Sequence, residues 1–227
     1  MSRTKTILIV LTSHAELGNT GRPTGFYLPE VAHPWKVFTE AGHRVDLASP
    51  KGGRPPASGV DTSDPVQKAF LEDPEMSAKL ENTLRPEDVD PAGYDAVFFA
   101  GGHGTMWDFA DNEALAGLGR DVYEAGGVVA ALCHGPAALV GIRLSDGRPL
   151  VEGKRLTAFT NNEEAAIELT DVVPFALQTA LEDLGAKHDG AANFSAHAVV
   201  DGRLVTGQNP ASATDTALAT VLALAGA

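Results

Sequence analysis

Three short, wholly apolar runs constrain this fold most: residues 7–11, 96–100 and 128–132. Each is too short for a helix, and none alternates as a strand with one wet face does. Strands of a parallel sheet read this way when helices cover both faces. The stretches between the runs supply those helices. Residues 29–41 read as a helix, with Pro29 in the first turn and Gly42 beyond the end. Pro34 lies inside that stretch, so a kink or a later start is expected. Arg44–Ala48 reads as a further strand, and residues 49–56 as a loop rich in Gly and Pro. Residues 64–84 read as helical pieces broken at Pro74, and residues 112–125 as a helix stopped by Gly126 and Gly127. Residues 155–159 read as a strand, followed by helical stretches at 161–169 and 174–184. Asp201-Gly202 is a hairpin signal between strands 198–200 and 204–206. Asn209 then caps a last helix, with Pro210 in its first position. Strands alternating with helices predict an α/β fold with a central, mostly parallel sheet and an added β-hairpin, in one domain over residues 1–227.

Charge and cysteine content narrow the function. The net charge of −13, with no cluster of Lys or Arg to offset it, argues against nucleic acid as a partner. A single cysteine, Cys133, excludes an internal disulfide and fits a reducing compartment. The run at 7–11 is too short for a signal-peptide core. The apolar run at 217–227 falls well short of the roughly 20 residues that span a bilayer. A cytoplasmic protein with no membrane partner is expected.

In open α/β sheets, ligands gather beyond the carboxyl ends of the strands. Two such ends are unusual here. Ala100-Gly101-Gly102-His103-Gly104 follows the run at 96–100, and its glycines let backbone amides approach a ligand. A phosphate loop is disfavoured, because no Gly-Lys-Ser/Thr follows. Val128–Leu132 runs directly into Cys133-His134-Gly135-Pro136, a strand, a turn of small residues and a helix. That is the pattern of a nucleophile elbow, which projects one side chain and aims the next amide at whatever it attacks. A nearby helix N-terminus predicts a thiolate at Cys133. A cysteine nucleophile needs a base and the base an orienter. His134 can be the base. The stretch from Thr157 to Glu164 offers orienters, with Glu163 and Glu164 also readable as first-turn acids on the helix dipole.

Ala100-Gly101-Gly102-His103-Gly104, Leu132-Cys133-His134-Gly135-Pro136 and Thr206-Gly207-Gln208-Asn209-Pro210-Ala211-Ser212 together resemble the ThiJ/PfpI superfamily. More narrowly, the chain resembles its glyoxalase III, or heat-shock-protein-31-like, branch. Tyr27-Leu28-Pro29-Glu30-Val31-Ala32-His33-Pro34-Trp35 and Ser49-Pro50-Lys51-Gly52-Gly53 also fit, and the match runs in order along nearly the whole chain. The resemblance implies a flavodoxin-like, class I glutamine amidotransferase-like three-layer sandwich. It implies Cys133 as nucleophile, His134 as base, Glu164 as orienter with Glu163 one position off, and Glu30 beside the sulfur. Gly102 and His103 would lie at the oxyanion and substrate site, with the amides of Gly102 and His134 as donors.

The resemblance further implies a cofactor-free glyoxalase acting on a small 2-oxoaldehyde such as methylglyoxal, and a homodimer. Competing readings are a cysteine amidase or peptidase, an isocyanide hydratase of the same superfamily, and a stress chaperone or oxidation sensor. No metal set is expected. Glu30 and His33, three apart, read as a helix-surface pair rather than as ligands.

Overall fold

The protein is described here from a computed structural model covering residues 3–226. In chain order its elements are β1 (Thr6–Val10), β2 (Phe26–Tyr27), α1 (Pro29–Glu40), β3 (Arg44–Ala48), β4 (Ala57–Ser58), α2 (Pro65–Glu72), α3 (Pro74–Glu81), β5 (Ala96–Phe99), α4 (Thr105–Asp108), α5 (Glu113–Glu124), β6 (Val128–Leu132), α6 (Ala137–Gly141), β7 (Arg155–Leu156), α7 (Asn161–Ala166), α8 (Leu177–Asp183), β8 (Lys187–His188), β9 (Ala198–Asp201), β10 (Leu204–Gly207) and α9 (Ala213–Gly226).

The main sheet has the order β3-β1-β5-β6-β10-β9. Every neighbouring pair is parallel except β9 with β10, the expected hairpin. The apolar runs are continuous because each face of the sheet meets its own helical layer. Ile7, Ile9, Phe98, Ala130 and Val205 face a core with Val31 and Phe38 of α1, Phe70 of α2 and Ala217 of α9. Their neighbours Leu8, Val10, Val97, Phe99, Val129 and Ala131 face a second core with Leu115 and Val122 of α5 and Leu181 of α8. A polar residue at either parity would meet an apolar layer, so none occurs in β5 or β6.

Several expectations need correction. The helix carrying Pro34 begins at Pro29 and runs through the proline to Glu40, so there is no later start. Pro34 lies on the buried face with Glu30 and Phe38, at the helical spacing of four. The strand expected over 155–159 stops at Leu156, and β7 pairs with β8 outside the main sheet. The reason is local: the Thr157 N–H donates to Thr206 Oγ1 at 2.9 Å and the Phe159 N–H to the Cys133 carbonyl at 2.9 Å. Those groups are therefore unavailable to a strand partner. Asn209-Pro210 opens a 3-10 turn, Pro210–Ser212, ahead of α9. The short helix α4 and the small β2–β4 pair were not expected.

The topology places the site. β1, β5 and β6 lie centrally and point the same way, so the segments after their carboxyl ends converge. The chain leaves β1 for β3 on one side and returns to β5 on the other, a crevice of the kind where ligands bind in such sheets.

Candidate active site

Cys133 directly follows β6 and has φ of +61°, a left-handed conformation rare for a residue with a Cβ. Its N–H is held by the Gly207 carbonyl at 2.9 Å and its carbonyl by the Phe159 N–H, which over-determine the strained backbone. Gly135 completes the turn: a Cβ there would lie 2.1 Å from the Phe99 carbonyl oxygen. The chain can turn sharply into α6 only without that atom. The Thr105 hydroxyl lies 3.0 Å from the Gly102 carbonyl and 2.9 Å from that of His134, tying the loops after β5 and β6 together. The amides of Gly102 and His134 enter no backbone hydrogen bond among the described residues, and that of His134 faces the sulfur.

His134 is almost fully buried, and its Nδ1 lies 3.3 Å from Cys133 Sγ. Its Nε2 lies 2.7 Å from Glu164 Oε2. The carboxylate can only accept, so Nε2 carries the proton and Nδ1 presents a lone pair to the sulfur. Burial, reinforced by the neighbouring His103, lowers the His134 pKa to about 4 despite Glu164, so the ring is neutral near pH 7. Glu164 also takes a second donor, His103 Nε2, at 3.0 Å on Oε1. Burial opposes ionisation of Glu164, but the bonds from the two imidazoles outweigh it and hold its pKa at about 2. The two imidazole rings lie 4.0 Å apart, centroid to centroid.

Glu163 and Glu164 diverge. Glu163 forms a capping box with Thr160, the Thr160 N–H donating to Oε2 at 2.9 Å. Its Oε1 accepts from the Phe194 N–H at 2.8 Å, Gln208 Nε2 at 3.1 Å and Asn209 Nδ2 at 2.8 Å. Glu164, and not Glu163, meets His134. The Thr-x-x-Glu pattern was a readable signal that Glu163 is the capping acid.

Glu30 comes from the first turn of α1 and is fully buried, packed against Gly101. A Cβ on Gly101 would fall 2.1 Å from Glu30 Oε2, so the glycine makes room for the carboxyl. Neither oxygen has a well-aligned hydrogen bond among the described residues, and the polar groups beside it are the Cys133 thiol and the Gly101 amide. Burial pushes its pKa up to about 8, against the pull of those two neighbours, so Glu30 is protonated near neutrality. The reading of Glu30 and His33 as a surface pair is therefore overturned. Glu30 turns inward, while His33 Nε2 pairs with Asp64 Oδ2 at 2.8 Å. Against the expected thiolate, burial first and then the Glu30 carboxyl push the Cys133 pKa up.

A cavity of about 330 Å³ opens over the sulfur, lined by Tyr27, Glu30, Ser58, Gly102, His103, Cys133, His134, Phe159, Ile167, Phe194 and Pro210. The expected residues Cys133, His134, Glu30, Gly102 and His103 all reach it, with Glu164 behind the imidazoles. Sequence reasoning missed the bond of His103 to Glu164 and the aromatic lining from Phe159 and Phe194. No local pattern in the sequence marks either. His103, His134 and Glu164 also offer ligand atoms within 4.8 Å of one another, a set able to hold a divalent cation. Imidazole–carboxylate hydrogen bonds already account for the cluster.

This architecture, with a cysteine on the elbow after a central parallel strand, agrees with the family comparison: residues 23–223 match the DJ-1/PfpI family, and the chain belongs to it. Within that family it is 34% identical to Glyoxalase 3 of Candida albicans, over 93% of this chain and 94% of that protein. It is 32% identical to the glutathione-independent glyoxalase HSP31 of Saccharomyces cerevisiae, over 97% of this chain and 98% of that one. The crystal structure of glyoxalase III from C. albicans superposes with a TM-score of 0.89 at 32% identity, covering 96% of this chain and 97% of that one. Rapid Encystment Protein 24 kDa of Francisella tularensis superposes with a TM-score of 0.94 at 38% identity, covering 97% and 99%.

Proposed function

We infer that this protein is a glutathione-independent glyoxalase, an enzyme that converts methylglyoxal and related 2-oxoaldehydes to 2-hydroxy acids, lactate in the first case. The observation that carries the reading is a thiol flanked by two unlike proton carriers: the neutral imidazole of His134 and the protonated carboxyl of Glu30. An internal oxidation–reduction between adjacent carbons needs a proton taken from one and given to the other. Curated relatives named as glyoxalases, one of them as glutathione-independent, align with this chain almost end to end.

The steps assign a role to each group. His134 Nδ1 takes the thiol proton as Cys133 Sγ adds to the aldehyde carbon, giving a hemithioacetal. The amides of Gly102 and His134 stabilise the oxygen as it gains charge. Glu30 gives its proton to that oxygen, the carboxylate so formed removes the hydrogen on the carbon, and the enediol is reprotonated on the neighbouring carbon, leaving a 2-hydroxyacyl thioester. Water hydrolyses the thioester and frees the thiol. The sum is substrate plus water to 2-hydroxy acid, with no external oxidant or reductant. Glu164 holds His134 in the working tautomer. Glu30, beside the sulfur, exchanges protons with the substrate oxygens and carbon.

The reading takes residues 1–227 as one domain, supported by two cores on the faces of one sheet. It includes a homodimer in the cytoplasm, which sedimentation and fractionation test. Among the described residues, no helix is long and apolar enough to cross a membrane. The decisive assay is steady-state turnover of methylglyoxal by the pure protein, beside Cys133→Ala and a simple amide. Lactate formation by the wild type alone is expected. Cys133→Ala should fold normally and fall to background. Turnover retained in that variant, or preferential cleavage of the amide, would sink the reading.

A further inference from the structure

The cavity over Cys133 has two unlike sides. Tyr27, Glu30 and Ser58 supply polar groups, whereas Phe159, Ile167 and Phe194 supply apolar surface. Phe159 packs against the His134 ring, with centroids 4.3 Å apart and planes tilted by 32°. Phe194 continues the same wall outward, 6.3 Å from Phe159.

Phe194 is unusual twice over. Its side chain belongs to a large hydrophobic residue left 49% exposed. Its backbone has φ of +59°, a conformation that a bulky residue rarely adopts. Neither feature helps the fold, since an exposed ring adds little to a core and the backbone costs energy. The neighbouring contacts nonetheless hold this conformation in place. The Phe194 N–H is fixed on Glu163 Oε1 at 2.8 Å, and Asn209 Nδ2 bridges that oxygen and the Ser195 carbonyl, each at 2.8 Å. Strain that the surroundings over-determine beside a ligand cavity points to a functional use of the side chain.

The cavity also exceeds what methylglyoxal needs. Five non-hydrogen atoms, at roughly the 30 Å³ that a water takes up, occupy about 150 Å³. That is under half of the 330 Å³ available. Phe159, Ile167 and Phe194 line that same cavity.

We propose that Phe194 is the specificity-determining residue of this site. With Phe159 and Ile167 it receives the substituent on the ketone carbon and favours 2-oxoaldehydes whose substituent is apolar and larger than methyl. The proposal deepens the glyoxalase reading and rests on it. The chemistry at the two carbonyl carbons is unchanged. The added substituent is a spectator held alike in ground and transition states, so its contribution falls on KM rather than kcat.

The test compares kcat and KM for phenylglyoxal and methylglyoxal in the wild type, Phe194→Leu and Phe194→Gly. Glycine adopts a positive φ freely, so it removes the ring and the strain together. The wild type should favour phenylglyoxal in kcat/KM. Phe194→Gly should keep the wild-type Tm or exceed it, yet lower the phenylglyoxal-to-methylglyoxal ratio by about 10-fold or more, mainly through KM, the scale of losing one buried aromatic contact. Phe194→Leu should fall between. An equal ratio in wild type and Phe194→Gly would overturn the proposal while leaving methylglyoxal turnover, and so the glyoxalase reading, intact. A large drop in Tm in Phe194→Gly would also overturn it, because the ring would then serve the fold. A wild type inert to both aldehydes would overturn the glyoxalase reading itself.

Discussion

Two carboxyl groups lie near one cysteine, Glu30 beside it and Glu164 beyond His134, and they stand in opposite charge states. Glu164 lies behind His134, takes a donor on each oxygen and stays ionised to about pH 2. Glu30 lies beside the sulfur, has no well-aligned donor among the described residues and keeps its proton to about pH 8. Both are glutamates in the first turn of a helix. The side chain is the same and both environments are dry, so the number of donors decides. Burial disfavours the charged form of either, and only charge-assisted bonds reverse that. Separated charge states of this kind divide labour between an electrostatic anchor and a proton carrier.

Removing each carboxylate in turn tests the contrast. The largest effect is expected in Glu30→Gln, which keeps a donor beside the sulfur but cannot exchange a proton. Methylglyoxal turnover should drop by about 10²-fold or more. Near-normal turnover with an unaltered pH profile would make Glu30 a bystander and leave His134 to move the proton alone. Glu164→Gln should cost less, on the order of 10-fold, because an amide oxygen can still accept from His134 Nε2. Loss of its charge removes support for the imidazolium, so the acid limb near pH 4 should move lower. An acid limb that stays in place would show that Glu164 does not set the basicity of His134.

The same variants should shift Tm by a few degrees, with opposite pH signatures. Between the ordinary value of 4.5 and about 8, the unfolded chain ionises Glu30 while the folded one holds its proton. Stability therefore falls across that window as pH rises, and Glu30→Gln should gain Tm over the wild type there, by about 3 °C or more. For Glu164 the folded value lies below 4.5, so its contribution is present above that pH and is lost toward about 2. Glu164→Gln should be less stable at pH 7, the deficit closing as the solution is acidified. Parallel pH curves for the two variants would erase the distinction. The smallest effect expected is none: turnover should survive exhaustive chelation, since the Nε2 protons of His103 and His134 are already engaged by Glu164. Loss of activity restored by zinc would recast His103, His134 and Glu164 as ligands.

The sequence by itself determined the layered architecture and the elbow. Apolar runs without alternation, such as Val128–Leu132, admit a strand covered on both faces, and the turn at Cys133-His134-Gly135 follows from what comes next in the chain. These are local consequences of side-chain polarity and backbone preference. Helical geometry likewise required Glu163 and Glu164 to point roughly 100° apart. The tertiary structure set Glu164, which the resemblance had implied, against His134, 30 residues away, and it alone brought His103 to the same carboxylate across 61 residues. It also left the buried Glu30, expected beside the sulfur, without a well-aligned donor. Phe194 looked like any loop residue until Glu163 and the Phe159 ring gave its position a meaning. Charge state and ligand contact depend on burial and on distances between segments far apart in the chain, and those quantities exist only once the layers have packed.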